Sequence, residues 1–220
     1  MIWFPLGVFA LLIILGLTFI PASKRDSGFI LSCVIALLAS FLVSFLYSFI
    51  KKTFPLADDT TGILVHYMVH DHLFFYYPGA VTVLICMLCL RREATIWASR
   101  AICLVLFGFY MFLAMLASFF YSAHGGWADP YFLFFLTGSR VLQCIVFAFA
   151  APLLLIKPYR IWKILPALVI LLAIPFATAP VSYLYYTSFV CQALEILAIL
   201  YGAALVVILP LLIIFRRHKA

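Results

Sequence analysis

Seven stretches of this chain run 18 to 27 residues with almost no charge: Ile2–Ile20, Phe29–Ile50, Leu73–Leu90, Ala101–Tyr121, Tyr131–Ile156, Ile164–Tyr183 and Phe189–Phe215. Each is long enough to cross a hydrocarbon core of roughly 30 Å as a helix. Lipid offers no partner to a bare N–H or C=O, so a crossing segment must close its backbone hydrogen bonds within itself, as a helix does. The predicted fold is all-α: a polytopic bundle of seven transmembrane helices, with six spans as the alternative. No linker, repeat or low-complexity tract divides residues 1–220, which read as a single transmembrane helical domain. Only 10% of the residues are charged, against about 25% in a soluble domain, which excludes the soluble, disordered and coiled-coil classes.

Orientation follows from the basic residues in the connections, which concentrate on the cytoplasmic side. With seven spans, Lys24, Arg25, Arg91, Arg92, Arg100, Lys157, Arg160, Lys163, Arg216, Arg217 and Lys219 share one face, and only Lys51 and Lys52 fall on the other. This bias predicts an outer N-terminus, a cytoplasmic C-terminus and a multi-pass protein of the plasma (inner) membrane. Lys24 and Arg25 follow the first stretch rather than precede it, so that stretch reads as a retained anchor and not as a cleaved leader. The net charge of +7 belongs to this basic inner rim, which faces anionic headgroups and is a poor argument for nucleic acid.

All six cysteines lie inside spans. Cys86 and Cys89 make a C-x-x-C, which reads either as a redox pair or as two small packing residues in an apolar helix. Ser32, Ala36, Ser40, Ser44 and Ser48 place a small residue at every fourth position of the second span. On a helix these share one slowly drifting face, which lets a neighbouring backbone approach closely. That neighbour is a helix of the same bundle or a partner subunit; a hydroxyl-lined solute path is the functional alternative. Pro78-Gly79 interrupts the third stretch, and Pro166, Pro175 and Pro180 recur in the sixth, where freed carbonyls need a partner.

Arg140 and Glu195 are the only charged residues deep within the seven stretches, in the fifth and the seventh. Gln143 lies three residues after Arg140, and Gln192 three before Glu195, so each helix carries a charge and an amide on one face. A charge within the bilayer costs roughly 2.5–3.5 kcal/mol on insertion scales, so such groups turn inward and pair. Arg140, Gln143, Gln192 and Glu195 read either as a structural ion pair or as an outward-facing polar pocket between the fifth and seventh helices. In the second case Arg140 receives a carboxylate or phosphate.

Gly62 to Tyr77 holds His66, His70, Asp71 and His72, and the predicted topology puts His124 on the same outer face. If that piece is helical, His66 and His70 at i and i+4 are spaced to grip one divalent cation, with Asp71 or His124 in acid–base roles. The alternative is an interfacial helix whose histidines and aromatics sit at headgroup level. No H-E-x-x-H, phosphate-binding glycine loop or nucleophile elbow is present. Three functions follow. The leading one is transport or binding of a small, anionic solute or lipid headgroup through the Arg140 pocket. The second is a metal-dependent membrane enzyme using the outer His/Asp set. The third is a non-catalytic subunit of a membrane complex.

Overall fold

The computed structural model describes residues 3–53, 75–90, 95–121, 130–155 and 160–186. They form six α-helices: α1 (Trp3–Phe19), α2 (Ser27–Thr53), α3 (Tyr77–Leu90), α4 (Ile96–Tyr121), α5 (Pro130–Leu155) and α6 (Ile161–Tyr186), with a single 3-10 turn at Ala22–Lys24. Three helical stretches, Ser27–Phe49, Ile96–Leu116 and Thr137–Leu155, are long and apolar enough to cross a membrane. The chain is a helical, membrane-embedded protein.

The distribution of side chains on α2 carries that assignment beyond length. Phe29, Ser32, Ala36, Ser40, Ser44 and Tyr47 are buried, whereas Leu31, Leu38, Phe41, Leu42, Phe45 and Phe49 are exposed. Small and hydroxyl groups face the protein while large apolar groups face outward, the reverse of a helix in water. Lipid is the solvent that tolerates such a surface. The serine stripe therefore packs inside the chain, where α2 lies against α4 and α3.

The hub of the bundle is α4, which packs against α1, α2, α3 and α5, while α6 lies against α5. Its buried residues, from Ala98 through Met115, include Cys103, Val105, Leu106, Phe107, Tyr110 and Met111. Small residues set its closest approaches. Gly16 of α1 abuts Val105 and Ala101, and Gly79 of α3 faces the ring of Tyr110. A methyl group at Gly79 would overlap that ring, which is itself fully buried. Gly79→Ala is therefore expected to lower stability by about 1–3 kcal/mol, the range for overpacking a filled site. Gly7→Ala, with open space around the new methyl, is the control and should leave thermal unfolding in detergent unchanged.

Helix ends are satisfied locally. The Arg25 guanidinium donates to the carbonyls of Leu17 and Ile20 at 2.6–3.0 Å, closing the C-terminus of α1. The Asp26 carboxylate accepts from Phe29 N–H at 3.1 Å and the Thr95 hydroxyl accepts from Ala98 N–H at 3.3 Å, capping α2 and α4. Asp26→Ala should cost about 1 kcal/mol, as loss of an N-cap does, and lower the unfolding midpoint accordingly.

Two expectations are corrected. Pro78-Gly79 does not end the third helix: α3 runs on through both residues to Leu90, with a π-helical turn at Phe75 and Tyr76 just before it. Arg100 does not sit in a connection but on α4, whose first residue is Ile96. The contact of Gly28 with Leu90 and the stacking of Arg100 on Phe149 bring the α1–α2 junction, the α3–α4 junction and the C-terminal end of α5 to one end of the bundle. Lys24, Arg25 and Arg100 gather there, and Arg160 and Lys163 begin α6 a few residues after α5 ends. The seventh apolar stretch lies outside the described residues.

Candidate functional site: a buried polar layer

The inward face of α5 carries Thr137, Ser139, Arg140, Gln143 and Cys144, all buried. Arg140 is 6% exposed, and its Nη1 donates to Gln143 Oε1 at 3.2 Å. The i, i+3 spacing puts the two side chains on one face, so the amide oxygen takes part of the hydrogen-bonding demand of the guanidinium. Arg140 and Gln143 are thus brought together as their spacing predicts. Their proposed partners Gln192 and Glu195 lie outside the described residues.

Further polar groups, not singled out from the sequence, join this level. The Tyr110 hydroxyl of α4 lies within electrostatic range of Arg140, and that of Tyr76, beside α3, within range of Cys144. Both tyrosines are fully buried, and neither hydroxyl has a hydrogen-bond partner among the described residues. On α2 the buried Ser40 and Ser44 hydroxyls likewise have no partner there. Counted from the basic end of each helix, Ser40, Tyr76, Tyr110 and Arg140 lie 13 to 15 residues in. At 1.5 Å per residue that is about 20 Å, a common depth in the middle of the bundle. Groups from α2, α4, α5 and the turn before α3 thus lie at a similar depth of an otherwise apolar interior, and the polar layer is named for that shared depth.

Aromatic packing fixes the layer. The Phe107 ring stacks on Phe147 at 4.3 Å and on Tyr110 at 6.1 Å, and meets Tyr76 edge-on at 5.5 Å. Phe75 and Tyr76 form a π-helical turn leading into α3, a local widening of the helix that re-aims side chains. The Tyr77 hydroxyl donates to the Leu172 carbonyl at 3.0 Å, tying α3 to α6. By contrast, Ser32 and Ser48 return their hydroxyls to their own helix, to the carbonyls of Gly28 and Ser44. The small-residue stripe thus divides into self-satisfied ends and a centre, Ser40 and Ser44, whose hydroxyls have no partner among the described residues.

The layer combines a fixed cation, an amide and hydroxyls that can each donate, which together suit an anion or a polar oxygen-rich group. The outer candidates His66, His70, Asp71 and His124 lie outside the described residues. Among the described residues no group of three or more His, Cys, Asp or Glu side chains gathers. Cys86 of the C-x-x-C is buried and Cys89 exposed; Cys86 also lies within reach of Ser32 and Cys33 across the α2–α3 contact. No family model matches the chain, and neither a characterised protein nor a solved structure is similar enough to count as a match.

Proposed function

We propose that this protein binds a small anionic solute or lipid headgroup in the polar layer around Arg140 and carries it across the membrane. The observation that supports this reading is the buried Arg140–Gln143 pair with the Tyr110 hydroxyl in electrostatic range, a hydroxyl with no hydrogen-bond partner among the described residues. A buried hydroxyl without a hydrogen bond costs about 1–3 kcal/mol, and a buried charge more, so a layer of this kind is stabilised by the polar group it receives. Arg140 supplies the planar donor fork that fits a carboxylate or phosphate. The layer sits near mid-depth and draws on several helices, where solute sites of transporters lie.

In this reading the seventh apolar stretch completes the bundle and brings Gln192 and Glu195 to the outward-opening side of the pocket, Glu195 coupling a proton or cation to the anion. The N-terminus lies outside and the C-terminus in the cytoplasm, in a seven-span protein of the plasma membrane. The test is ligand-induced stabilisation of the purified protein by inorganic phosphate, a monocarboxylate and a dicarboxylate. At 100 times its Kd a ligand adds about 2.7 kcal/mol to stability, a shift that thermal unfolding resolves. One anion class is expected to stabilise the wild-type protein and to have no effect on Arg140→Gln. If none of them stabilises the wild-type protein, or Arg140→Gln responds equally, the reading is wrong.

A further inference from the structure

A second cation, at the basic end of the bundle and far from the polar layer, is held in a different way. The Arg100 guanidinium carbon lies 4.9 Å from the ring centre of Trp97 on its own helix and 4.6 Å from that of Phe149 on α5. The two rings meet edge to face at 6.3 Å, forming a corner into which the guanidinium fits. Its Nε is buried and has no hydrogen-bond partner among the described residues. Trp97 is 49% and Phe149 39% exposed, so the corner opens onto the surrounding lipid.

Ring faces stabilise the charge of a guanidinium, but they do not accept its in-plane N–H groups. Arg25, at the same end, directs its donors to the carbonyls of α1. Arg100 has no such acceptor among the described residues, and its stacked rings orient the donor fork without occupying it. A second basic–aromatic group lies at the start of α6, next to α5: Arg160 and Lys163 each approach the Trp162 ring, at 5.6 and 5.7 Å. The ligand that suits this setting has a phosphate for the fork, a net negative charge for the basic surroundings, and acyl chains to lie along the exposed apolar faces.

We propose that the Trp97–Arg100–Phe149 corner is a binding site for the phosphate of an anionic phospholipid. A general basic rim attracts such lipids diffusely; this corner adds a guanidinium oriented by two ring faces, whose terminal N–H groups have no acceptor among the described residues. The experiment is native mass spectrometry of the intact protein titrated with phosphatidylglycerol, phosphatidylcholine or inorganic phosphate. The wild-type protein is expected to retain phosphatidylglycerol in preference to phosphatidylcholine. R100Q should reduce that retention by about fivefold or more, at least the share that one basic side chain contributes near an anionic surface. K163Q, which removes one charge from the same end, should have a smaller effect. Should R100Q fail to fold, R100K keeps the charge but loses the fork, and is expected to lose the preference for phosphatidylglycerol. Equal losses in R100Q and K163Q would reduce the effect to diffuse charge and overturn the site. So would an R100K that binds as the wild-type protein does, or millimolar phosphate that displaces the lipid fully.

Discussion

Arg140→Ala is expected to weaken anion binding by about two to four orders of magnitude while leaving the protein folded. Charge-assisted hydrogen bonds contribute about 1.5–3 kcal/mol each, and a guanidinium fork makes two of them, which sets that range. Stability should respond differently. Removing the guanidinium relieves the cost of holding a charge within the bilayer, about 2.5–3.5 kcal/mol on insertion scales. It also deprives the Gln143 carbonyl oxygen of its donor, a loss of about 1–3 kcal/mol. The two act in opposite directions, so the unfolding midpoint should move less than the loss of a buried ion pair would move it. A purely structural ion pair predicts the opposite pattern: breaking it leaves an uncompensated partner and costs about 3–5 kcal/mol of stability, with no ligand response to lose. Arg140→Lys sharpens the contrast, because it keeps the charge at the same depth and gives up the planar fork. An intermediate loss, about tenfold, is expected if geometry as well as charge holds the anion. Parallel measurement of unfolding midpoint and anion titration for both variants separates the two origins. A large loss of stability in Arg140→Ala, with wild-type binding in Arg140→Lys, would remove Arg140 from the binding role.

The parts of this architecture that were legible in the sequence are those governed by hydrophobic length. Six of the apolar stretches overlap α1 to α6, three of which contain a segment long and apolar enough to cross a membrane. Their ends were less legible. A charge at Arg100 reads as a connection, yet Trp97 and Phe149 give that guanidinium an aromatic surface, so α4 starts at Ile96. At the polar layer, Arg140 and Gln143 could be found because a charge in an apolar run is conspicuous and the i, i+3 spacing is local. Tyr110 and Tyr76 could not be weighed in the same way, since tyrosines are common near membrane interfaces. A usable signal did exist for Tyr110: it lies 14 residues into a 26-residue helix, far from either interface where its hydroxyl would be hydrated. Which of the stripe serines serve the layer was not local information at all. Ser40 and Ser44 differ from Ser32 and Ser48 only in whether the hydroxyl bonds back to its own helix.

Phe107→Ala is the packing substitution expected to do most damage, and its size bears on what holds such a bundle together. The Phe107 ring is fully buried and touches Tyr76, Tyr110 and Phe147, joining α4 to α5 and to the turn before α3. In a water-soluble core, truncation of such a ring costs about 3–5 kcal/mol, combining lost transfer from water with the cavity left behind. Here the solvent is hydrocarbon, as apolar as the interior, so most of the transfer contribution is absent and the cavity and dispersion contributions remain. About 2–3 kcal/mol is therefore expected, read as a lowered unfolding midpoint in detergent. Phe107→Leu, which refills much of the volume, should recover over half of it. The functional consequence is separable from the stability loss. The same ring positions the Tyr76 and Tyr110 hydroxyls, so Phe107→Leu should weaken anion binding more than its modest destabilisation accounts for, by about tenfold if both donors drift from the ligand. Leu106, equally buried on α4 but outside these ring contacts, provides the control: Leu106→Ala should lower the midpoint and leave the affinity of the folded protein unchanged. Matching losses of affinity in the Phe107 and Leu106 variants would mean that the aromatic group packs the helices without aligning the polar layer.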